Sequence, residues 1–320
     1  MIDVRQLTYF VAVVEAKSFT AAAETLHVAQ PALSQHLQRL EYEFGQQLLI
    51  RHSRGVVPTP AGVRLVEHAR VILTLVQAAK DDLRNFDKEP HGVIRVGMPR
   101  SLCDIMAVEL MTNWSESYPK INLQIVEQSS NTLTEWVMAG RLDLAITSFP
   151  SDSGSVIAEP LLQDKMCAIM PRRDGSSSDI GQIRFADLAQ EPLALYSPSN
   201  QSRQLLDMTA KYCDVNLNIA FEVDSPDLAL RLVEAGKGST IQPYLAVRHY
   251  LESGRADIRL IVGPGITRRL HLIRSKNRPL AHHEAELCKA IKTHLANGLA
   301  TDKHESMLEL DFAVDTPSDI

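Results

Sequence analysis

The chain has 320 residues, of which 45% are hydrophobic and 22% are charged, and its formal net charge is −6. This composition excludes a disordered or fibrous protein, and the length favours two or three globular domains. The negative net charge is not typical of a nucleic-acid-binding protein. Any contact with DNA must therefore depend on where the positive side chains lie and not on their total number.

The amino terminus and the cysteines favour a cytoplasmic protein. The first segment, MIDVRQLTYFVAVVEAKSF, lacks the basic leader and small-residue cleavage site of a signal peptide. No stretch reaches the roughly 18 apolar residues that a membrane span needs. The four cysteines lie far apart without a CxxC pair, which favours buried thiols in a reducing compartment over metal ligands. We expect no metal, no cofactor and no membrane contact.

Three short helices are predicted at the amino-terminal end. Apolar spacing predicts the first over residues 3–17, and Thr20 is expected to cap a second over AAAETLH. Pro31 suits the first position of a third helix, which Gly45 ends. We expect this third helix to bury an apolar stripe and to turn Ser34, Gln35, Gln38 and Arg39 outward. The stripe consists of Ala32, Leu33, Leu37, Leu40 and Phe44.

The segment QLLIRHSRGVVPT predicts two short strands, at 48–50 and 56–57, around a Ser-Arg-Gly turn. Two helices at a tight turn followed by a hairpin indicate a winged helix-turn-helix over residues 1–59, whose second helix fits the major groove of DNA. Its N-terminal amides also suit a phosphate. The expected DNA-binding residues lie on this helix, beside its turn and at the wing. They are Thr20, Gln30, Pro31, Ser34, Gln35, Gln38, Arg39, Arg51 and Arg54.

A long helix is predicted to follow, within a linker at residues 60–89. Thr59 caps it, Pro60 opens it, and apolar residues then recur at alternating spacings of four and three. This heptad pattern favours pairing with a second copy of the helix over packing within its own domain. The residues in the pattern are Leu65, Ala69, Ile72, Val76, Ala79, Leu83 and Phe86.

From Val93 onward, strand and helix patterns alternate, which predicts an α/β domain over residues 90–300 with mostly parallel sheets. The segments at 160–171 and 266–275 are expected to cross between two subdomains. The first subdomain is then about 92–162 plus 267–297, and the second is about 163–266. Residues 301–320 are predicted to be an acidic tail that is solvated and partly disordered.

The stretch LTYFVAVVEAKSFTAAAETLHVAQPALSQHLQRLEYEFGQQLLIRHSRGVVPTPAG resembles the DNA-binding domain of LysR-type transcriptional regulators. The specific marks are SFTAAAETLHVAQPALS, the LE pair at 40–41, the spacing of Gly45 and Leu48, and TPAG before the long helix. VEQSSNTLTEWVMAGRLDLAIT resembles a segment of the same family's sensor domain. The resemblance covers about residues 2–297. A weaker likeness points to the nitrogen-assimilation control subgroup.

The resemblance implies a regulator with two α/β subdomains of periplasmic-binding-protein type and a small-molecule effector in the cleft between them. It further implies an interrupted inverted repeat in promoter DNA, pairing through the linker helix, a homotetramer built as a dimer of dimers, and control of RNA polymerase. One departure concerns the recognition helix, where the family often has arginine and this chain has Gln35. Glutamine prefers adenine and arginine prefers guanine, so we expect a different half-site preference.

Ligands of open α/β sheets bind at the carboxyl ends of the strands, and polar residues follow several of the predicted strands here. Arg100 suggests an organic anion, because a guanidinium group binds carboxylates in pairs of hydrogen bonds; the alternative is an exposed loop arginine. The serines are alternatively helix caps. Ser101, Ser148, Ser199 and Gln242 match positions at which the resemblance implies effector contacts. The expected effector-binding residues are Pro99, Arg100, Ser101, Ser129, Ser148, Phe149, Ser197, Ser199, Asn200, Gln242 and Pro243.

Two other functions would also fit parts of this sequence. An enzyme would need a reactive cluster, and the best candidate is His282, His283 and Glu286 on an amphipathic helix, where exposed polar residues are ordinary. No ordered nucleophile, histidine and acid and no glycine-rich phosphate loop appear, so we expect no catalytic residue. A solute-binding protein without a DNA role would share the sensor architecture but would require export.

Overall fold

The computed structural model describes residues 3–52, 55–84, 90–148, 154–172, 180–300 and 303–312. The amino-terminal domain consists of three helices and a two-stranded hairpin, followed by a long helix. The helices are α1 (Val4–Ala16), α2 (Phe19–Thr25) and α3 (Gln30–Phe44), the strands are β1 (Leu49–His52) and β2 (Gly55–Pro58), and the long helix is α4 (Pro60–Arg84).

Two details of the predicted helices are wrong. Ser18, not Thr20, caps α2, because its hydroxyl accepts a hydrogen bond from the Ala21 amide and the helix already begins at Phe19. The buried stripe of α3 contains Leu33, Leu37 and Leu40, whereas Ala32 and Phe44 are exposed.

The hairpin and the start of α4 are fixed to α3 by short polar contacts. The Glu41 Oε1 atom accepts hydrogen bonds from the amides of Leu48 and Leu49 at 2.8 and 3.1 Å. Thr59 caps α4 by accepting from the Gly62 amide, and its hydroxyl donates to the Gln47 carbonyl. A Cβ atom at Gly62 would lie 2.1 Å from the Leu48 carbonyl oxygen, so only glycine fits there. These contacts explain why the LE pair and the TPAG motif occur where they do.

The predicted linker helix is present, and its first half packs on its own domain. Leu65 and Ala69 are buried against the amino-terminal core, whereas Ile72 is 40% exposed and Ala79 is exposed. Leu83 and Phe86, the last two residues of the predicted heptad pattern, have side chains outside the described part of the structure. Among the described residues of the pattern, Ile72 and Ala79 are therefore left exposed on α4.

The second half of the chain is an α/β domain. Its first strands and helices are β3 (Gly92–Met98), α5 (Arg100–Leu102), a π-helical segment (Cys103–Ala107), α6 (Val108–Ser117), β4 (Ile121–Glu127), α7 (Ser130–Met138), β5 (Leu144–Ser148) and β6 (Val156–Pro171). The next are β7 (Gly181–Arg184), α8 (Phe185–Leu188), β8 (Leu193–Leu195), α9 (Gln201–Tyr212), β9 (Ile219–Glu222), α10 (Pro226–Glu234) and β10 (Thr240–Pro243). The last are α11 (Tyr244–Ser253), β11 (Ala256–Val262), β12 (Thr267–Ser275), α12 (His282–Ala300) and β13 (Leu308–Leu310).

The expectation of mostly parallel sheets is wrong for the centre of this domain. Strands β3, β4 and β5 pair in parallel, as do β7 with β11 and β8 with β9. The long strand β6, however, is antiparallel to β10, β11, β12 and β13, and β12 is antiparallel to β5. A strand that carries the chain across to a second subdomain, and another that returns it, run in opposite directions. The central ladder must therefore be antiparallel.

Strand β6 joins the two halves of the domain. Its first part, Val156–Lys165, pairs with β12, and its last part, Met166–Pro171, pairs with β10 and β11. Helix α11 and strand β11 were not predicted. Strand β11 pairs with β6 and β7 and so extends the second half of the sheet, and α11 packs beside it.

The prediction of a solvated tail is wrong for residues 303–312. Strand β13 pairs with β6 at Leu162, Gln163 and Asp164, and Met307 and Leu308 are buried. The acidic residues of this segment favoured a solvated tail, but the apolar side chains between them pack against the domain. Asp311 accepts a hydrogen bond from the Gln163 side chain at 2.7 Å, which fixes the register further.

We expect Leu308→Ala to destabilise the α/β domain, since Leu308 is only 7% exposed and packs on the central core. Truncation of a buried leucine costs about 2–4 kcal/mol of unfolding free energy. Urea unfolding followed by circular dichroism measures this loss. Glu309→Ala is the matched control, because Glu309 is the exposed neighbour in the same strand. Equal unfolding midpoints for both variants would contradict a packed carboxyl-terminal strand.

Candidate DNA-binding surface and effector cleft

The exposed face of α3 consists of polar side chains at helical spacing. Pro31, Gln35, Gln38 and Arg39 are exposed, and none of these side chains makes a hydrogen bond with another described residue. Thr20 and Gln30 are exposed beside the turn that precedes this helix. Residues three and four positions apart lie on one helix face, so the predicted residues form one continuous polar surface. The amides at the start of α3 lack a side-chain cap.

Arg51 lies on strand β1 of the hairpin, next to the wing tip, and its side chain contacts α3. Its Nη2 atom donates a hydrogen bond to the Ser34 hydroxyl at 2.9 Å, and its guanidinium carbon lies 4.2 Å from the centre of the Phe19 ring. Arg51 therefore contacts the start of α3 instead of projecting from the wing tip. Its positive charge is placed beside the same helix end that is expected to meet DNA. Arg54, the other predicted wing arginine, lies outside the described residues.

The effector half contains an open cavity of about 670 Å³ at the carboxyl ends of strands β3, β4, β5, β8, β9 and β10. The structure places ten of the predicted effector residues in its lining, and Phe149 lies outside the described residues. These ten are Pro99, Arg100, Ser101, Ser129, Ser148, Ser197, Ser199, Asn200, Gln242 and Pro243. Residues far apart in sequence meet here because the strand ends of both subdomains face each other across the cavity.

Several of the hydroxyl and amide groups also serve as local structural contacts. Ser129 caps α7 and Asn200 caps α9, each by accepting a hydrogen bond from a backbone amide. The Ser197 hydroxyl donates to Asp224 at 2.7 Å. These contacts hold the side chains at the edge of the cavity, so capping and lining the cavity are compatible for these residues.

Arg100 is paired with carboxylates across the cavity and is not an isolated loop arginine. Its Nη1 atom lies 3.0 Å from Asp227 Oδ2 at the start of α10, and its Nε atom lies 3.8 Å from Asp104 Oδ2. Burial alone would lower the pKa of Arg100, but Asp227 and Asp104 raise it above its ordinary value. Arg100 is thus fully charged, and a bound anion must compete with Asp227 for it.

A second arginine, which sequence reasoning missed, lies deeper in the same cavity. Arg268 on β12 is 6% exposed, and its Nη2 atom donates to Asp164 Oδ2 at 2.6 Å and to the Ser101 hydroxyl at 3.1 Å. Asp164 on β6 is fully buried and also accepts from the Leu245 amide. Burial raises the pKa of Asp164, and the charge of Arg268 opposes that rise.

Other lining residues missed from the sequence are Asp104, Glu127, Tyr196, Gln201, Asp224, Asp227 and His249. The strand-end rule alone would have found Asp224, which follows β9. The Tyr196 hydroxyl donates to Gln242 Oε1 at 2.9 Å across β8 and β10. Burial lowers the pKa of His249, so its imidazole is neutral at pH 7.

The clusters considered for other functions are ordinary surface contacts. Glu286, proposed as part of a histidine cluster, pairs with Lys289 at 2.8 Å on α12. Among the described residues, no group of three or more histidine, cysteine or acidic side chains is placed to hold a metal ion. Cys167 is buried, but Cys103, Cys213 and Cys288 are half-buried, less than predicted. Burial raises the pKa of both Cys103 and Cys288 to about 11. Within the described chain, no helix has the length and apolarity for a membrane span.

Comparison with known proteins identifies both halves of the chain. Residues 4–63 match the model of bacterial regulatory helix-turn-helix proteins of the lysR family, and residues 87–296 match the LysR substrate binding domain. The chain belongs to the LysR family. It is therefore a transcriptional regulator with an amino-terminal DNA-binding domain and a carboxyl-terminal effector-binding domain.

Similar proteins cover the LysR-family chain almost from end to end. The nitrogen assimilation regulatory protein nac of Klebsiella aerogenes is 29% identical over 310 residues, which are 96% of this chain and 99% of that protein. A full-length OxyR variant from Pseudomonas aeruginosa has the same fold, with a TM-score of 0.74, 22% identity and coverage of 92% and 95% of the two chains. Full-length CbnR in complex with its target DNA gives a TM-score of 0.62 at 23% identity, over 93% of this chain and 100% of that chain.

We expect Arg268→Met to destabilise this regulator strongly, because it leaves the buried Asp164 carboxylate without its partner. Breaking a buried ion pair costs about 3–5 kcal/mol of unfolding free energy. Arg269→Met is the control, since Arg269 is the exposed neighbour on the same strand and should change stability by less than about 0.5 kcal/mol. Guanidinium unfolding of both variants at pH 7 measures the difference. A loss below 1 kcal/mol for the Arg268 variant, on the order of a surface change, would contradict the importance of the pair.

Proposed function

We propose that this LysR-family regulator reads promoter DNA with α3 and senses a small molecule carrying an anionic group in the cleft of its effector domain. The observation that carries the DNA part is the exposed polar face of α3, on which the side chains of Gln35, Gln38 and Arg39 make no hydrogen bond within the described chain. The cavity at the strand ends, with two arginines in its lining, supports the effector part. A protein that acts on promoters works in the cytoplasm, as the sequence predicts.

The proposed DNA contacts divide into two classes. Gln35, Gln38 and Ser34 are hydrogen-bonding side chains on the groove-facing surface and are assigned to base edges. Arg39, Arg51, Arg54 and the uncapped amides of α3 are assigned to phosphates, together with Thr20 and Gln30 near the turn. Pro31 has no donor and borders this surface. A chain with a net charge of −6 can bind DNA in this way because the arginines of its amino-terminal domain lie beside the helix that is proposed to enter the groove.

The effector site is proposed to consist of the cavity lining at the strand ends. Arg100 binds the anionic group, the hydroxyls of Ser101, Ser129, Ser148, Ser197 and Ser199 and the amides of Asn200 and Gln242 bind polar groups, and Pro99, Pro243 and Phe149 border them. A guanidinium group and neighbouring hydroxyls form a suitable site for a carboxylate. The domain boundaries of the sequence analysis, 1–59, 60–89, 90–300 and 301–320, are retained in this proposal, with the strand β13 included in the effector domain.

The regulator is proposed to act as a homo-oligomer, a dimer of dimers, in contact with RNA polymerase. Support for pairing comes from the exposed apolar side chains on α4, and the proposed contact with polymerase follows from the promoter location of the DNA site. An effector that binds one arrangement of the subdomains more tightly than another shifts the equilibrium between them, and its difference in affinity sets the size of that shift. The spacing of the DNA-binding domains then responds to effector binding.

For the DNA site, Gln35→Ala is expected to weaken binding to the regulator's own upstream region by about tenfold, the value of one base contact. Gln35→Arg should shift the preferred base from adenine towards guanine in a binding-site selection. Gln46→Ala is the matched control, because Gln46 is an exposed glutamine beyond the far end of α3. Identical affinity and identical selected sequences for all these variants would reject α3 as the reading element.

For the linker, Ile72→Asp is expected to reduce the oligomeric state of the full-length protein, since it buries a charge in the apolar seam of α4. Light scattering after size-exclusion chromatography measures the mass. Glu67→Lys is the control, because Glu67 is exposed on the opposite face of the same helix. An unchanged mass for the Ile72 variant would place the pairing surface outside α4.

A further inference from the structure

The effector cleft carries more negative than positive charge. Among its described lining residues there are four carboxylates and two guanidinium groups, and His249 is neutral at pH 7. Arg268 is already paired with Asp164, which lies behind the cavity. Two of the lining carboxylates, Glu127 and Asp224, have no ion-pair partner among the described residues. A ligand that carries only negative charge would add to this excess and be repelled by it.

The ion pair between Arg100 and Asp227 spans the cleft. Arg100 lies at the start of α5, after β3 of the first subdomain, and Asp227 lies in the first turn of α10 in the second. Both side chains are about half exposed, so a ligand can reach them. An anion that takes Arg100 leaves Asp227 close by without its counter-charge. A zwitterion can enter between the two groups and satisfy both.

Two buried polar atoms of the cavity-lining residues, one donor and one acceptor, have no hydrogen-bond partner among the described residues. The Nε atom of Arg268 is a donor without an acceptor among the described residues, although the side chain is more than nine-tenths buried. The Oε1 atom of Gln201, at the start of α9, is an acceptor without a donor there. Buried polar atoms are nearly always hydrogen-bonded in native proteins, so both atoms point to a ligand with acceptor and donor groups.

We propose that the effector of this regulator is a small zwitterion of the amino-acid type. Its carboxylate binds Arg100 and the unpartnered Nε of Arg268. The two arginines lie close together, because Arg268 donates a hydrogen bond to Ser101, the residue next to Arg100. Its ammonium group binds Asp227, released from Arg100, within reach of the negative field of Asp224. This inference rests on the effector binding proposed above and narrows its chemical class.

The exchange also explains how such a ligand would couple to the subdomains. In the ligand-free cleft, the cross-cleft contact is one intramolecular ion pair. With a zwitterion inserted, the same two residues are joined through the ligand by two charge-assisted contacts. The separation at which the cleft is most stable then depends on the ligand, and such a difference between two states is what an effector needs in order to shift an equilibrium.

The test uses the full-length protein and matched sets of three compounds. For each of the common α-amino acids, and for β-alanine and 4-aminobutyrate, the set contains the amino acid, its hydroxy-acid analogue and its decarboxylated amine. Thermal unfolding screens the panel, because a ligand of the folded state raises the melting temperature. Calorimetric titration then gives the dissociation constants. We expect an amino acid to bind, and its hydroxy acid and amine to bind at least about tenfold more weakly, since each lacks one charged contact.

Asp227→Asn and Asp104→Asn separate the specific contact from the general field. Each removes one carboxylate from the cleft, but only Asp227 forms the cross-cleft pair. Asp227→Asn is expected to weaken amino-acid binding by about tenfold and to reduce the preference over the hydroxy acid, whereas Asp104→Asn keeps that preference. The unliganded melting temperature and retardation of the upstream DNA fragment confirm that both variants are folded.

The possible outcomes distinguish this inference from the proposed function. A hydroxy acid that binds the wild type as well as its amino acid would overturn the zwitterion and leave anion sensing intact. An amino-acid preference that survives in Asp227→Asn would overturn the assigned ammonium contact. Failure of every compound in the panel to bind would overturn the inference, and failure of the same protein to retard promoter DNA would separately reject the regulatory function.

Discussion

The buried ion pair between Asp164 and Arg268 joins the elements on which the effector domain depends. Asp164 lies on β6 and Arg268 on β12, the two long strands that cross the middle of the domain. The same carboxylate accepts from the Leu245 amide at the start of α11, and the same guanidinium group donates to Ser101 in α5. Burying two charges is costly, and the cost is offset by the hydrogen bonds that both Asp164 oxygens accept and that Arg268 Nη2 donates. The Nε atom of Arg268, in a side chain that lines the cleft, has no partner among the described residues.

In the DNA-binding domain, too, a few polar side chains hold the secondary-structure elements together. Glu41, on the inner side of α3, holds the start of β1 through two backbone amides, and Thr59 joins the hairpin to α4. Gly62 allows the first turn of α4 to pass against the Leu48 carbonyl. The recognition helix, the wing and the linker helix are therefore fixed relative to one another by a few side chains. A helix that reads bases needs such fixed supports, because base contacts require accurate placement.

The sequence predicted the fold class and the composition of the cleft well, and it failed where contacts between distant segments decide. The end of a strand can be recognised from the local sequence, so the positions of Pro99, Ser101, Ser148 and Gln242 at the cleft were predictable without knowledge of their spatial neighbours. Arg268 carries no such signal, because it lies inside an alternating strand and its partner is 104 residues away. The antiparallel centre of the sheet and the pairing of β13 with β6 likewise depend on long-range registers that no local pattern encodes. The contact of Arg51 with Phe19 and Ser34 was not predicted for the same reason, since it joins segments that are distant in sequence.

Helix α7 gives the cleft a direct mechanical connection to the linker helix. Its amino-terminal residues Ser129, Ser130 and Asn131 line the cavity, and its carboxyl-terminal turn ends at Gly140. The Gly140 carbonyl accepts a hydrogen bond from the Thr74 hydroxyl of α4 at 3.4 Å. Gly140 has a positive φ, and a Cβ atom at this position would lie 3.1 Å from the Thr74 hydroxyl oxygen, so the two elements approach closely here. One turn earlier on α4, Arg70 pairs with Glu15 of α1 at 2.7 Å. Helix α7 therefore lies between the two regions: its start lines the cavity, and the residue just beyond its end contacts the linker helix. A chain of packed, rigid elements of this kind is what coupling between two sites requires.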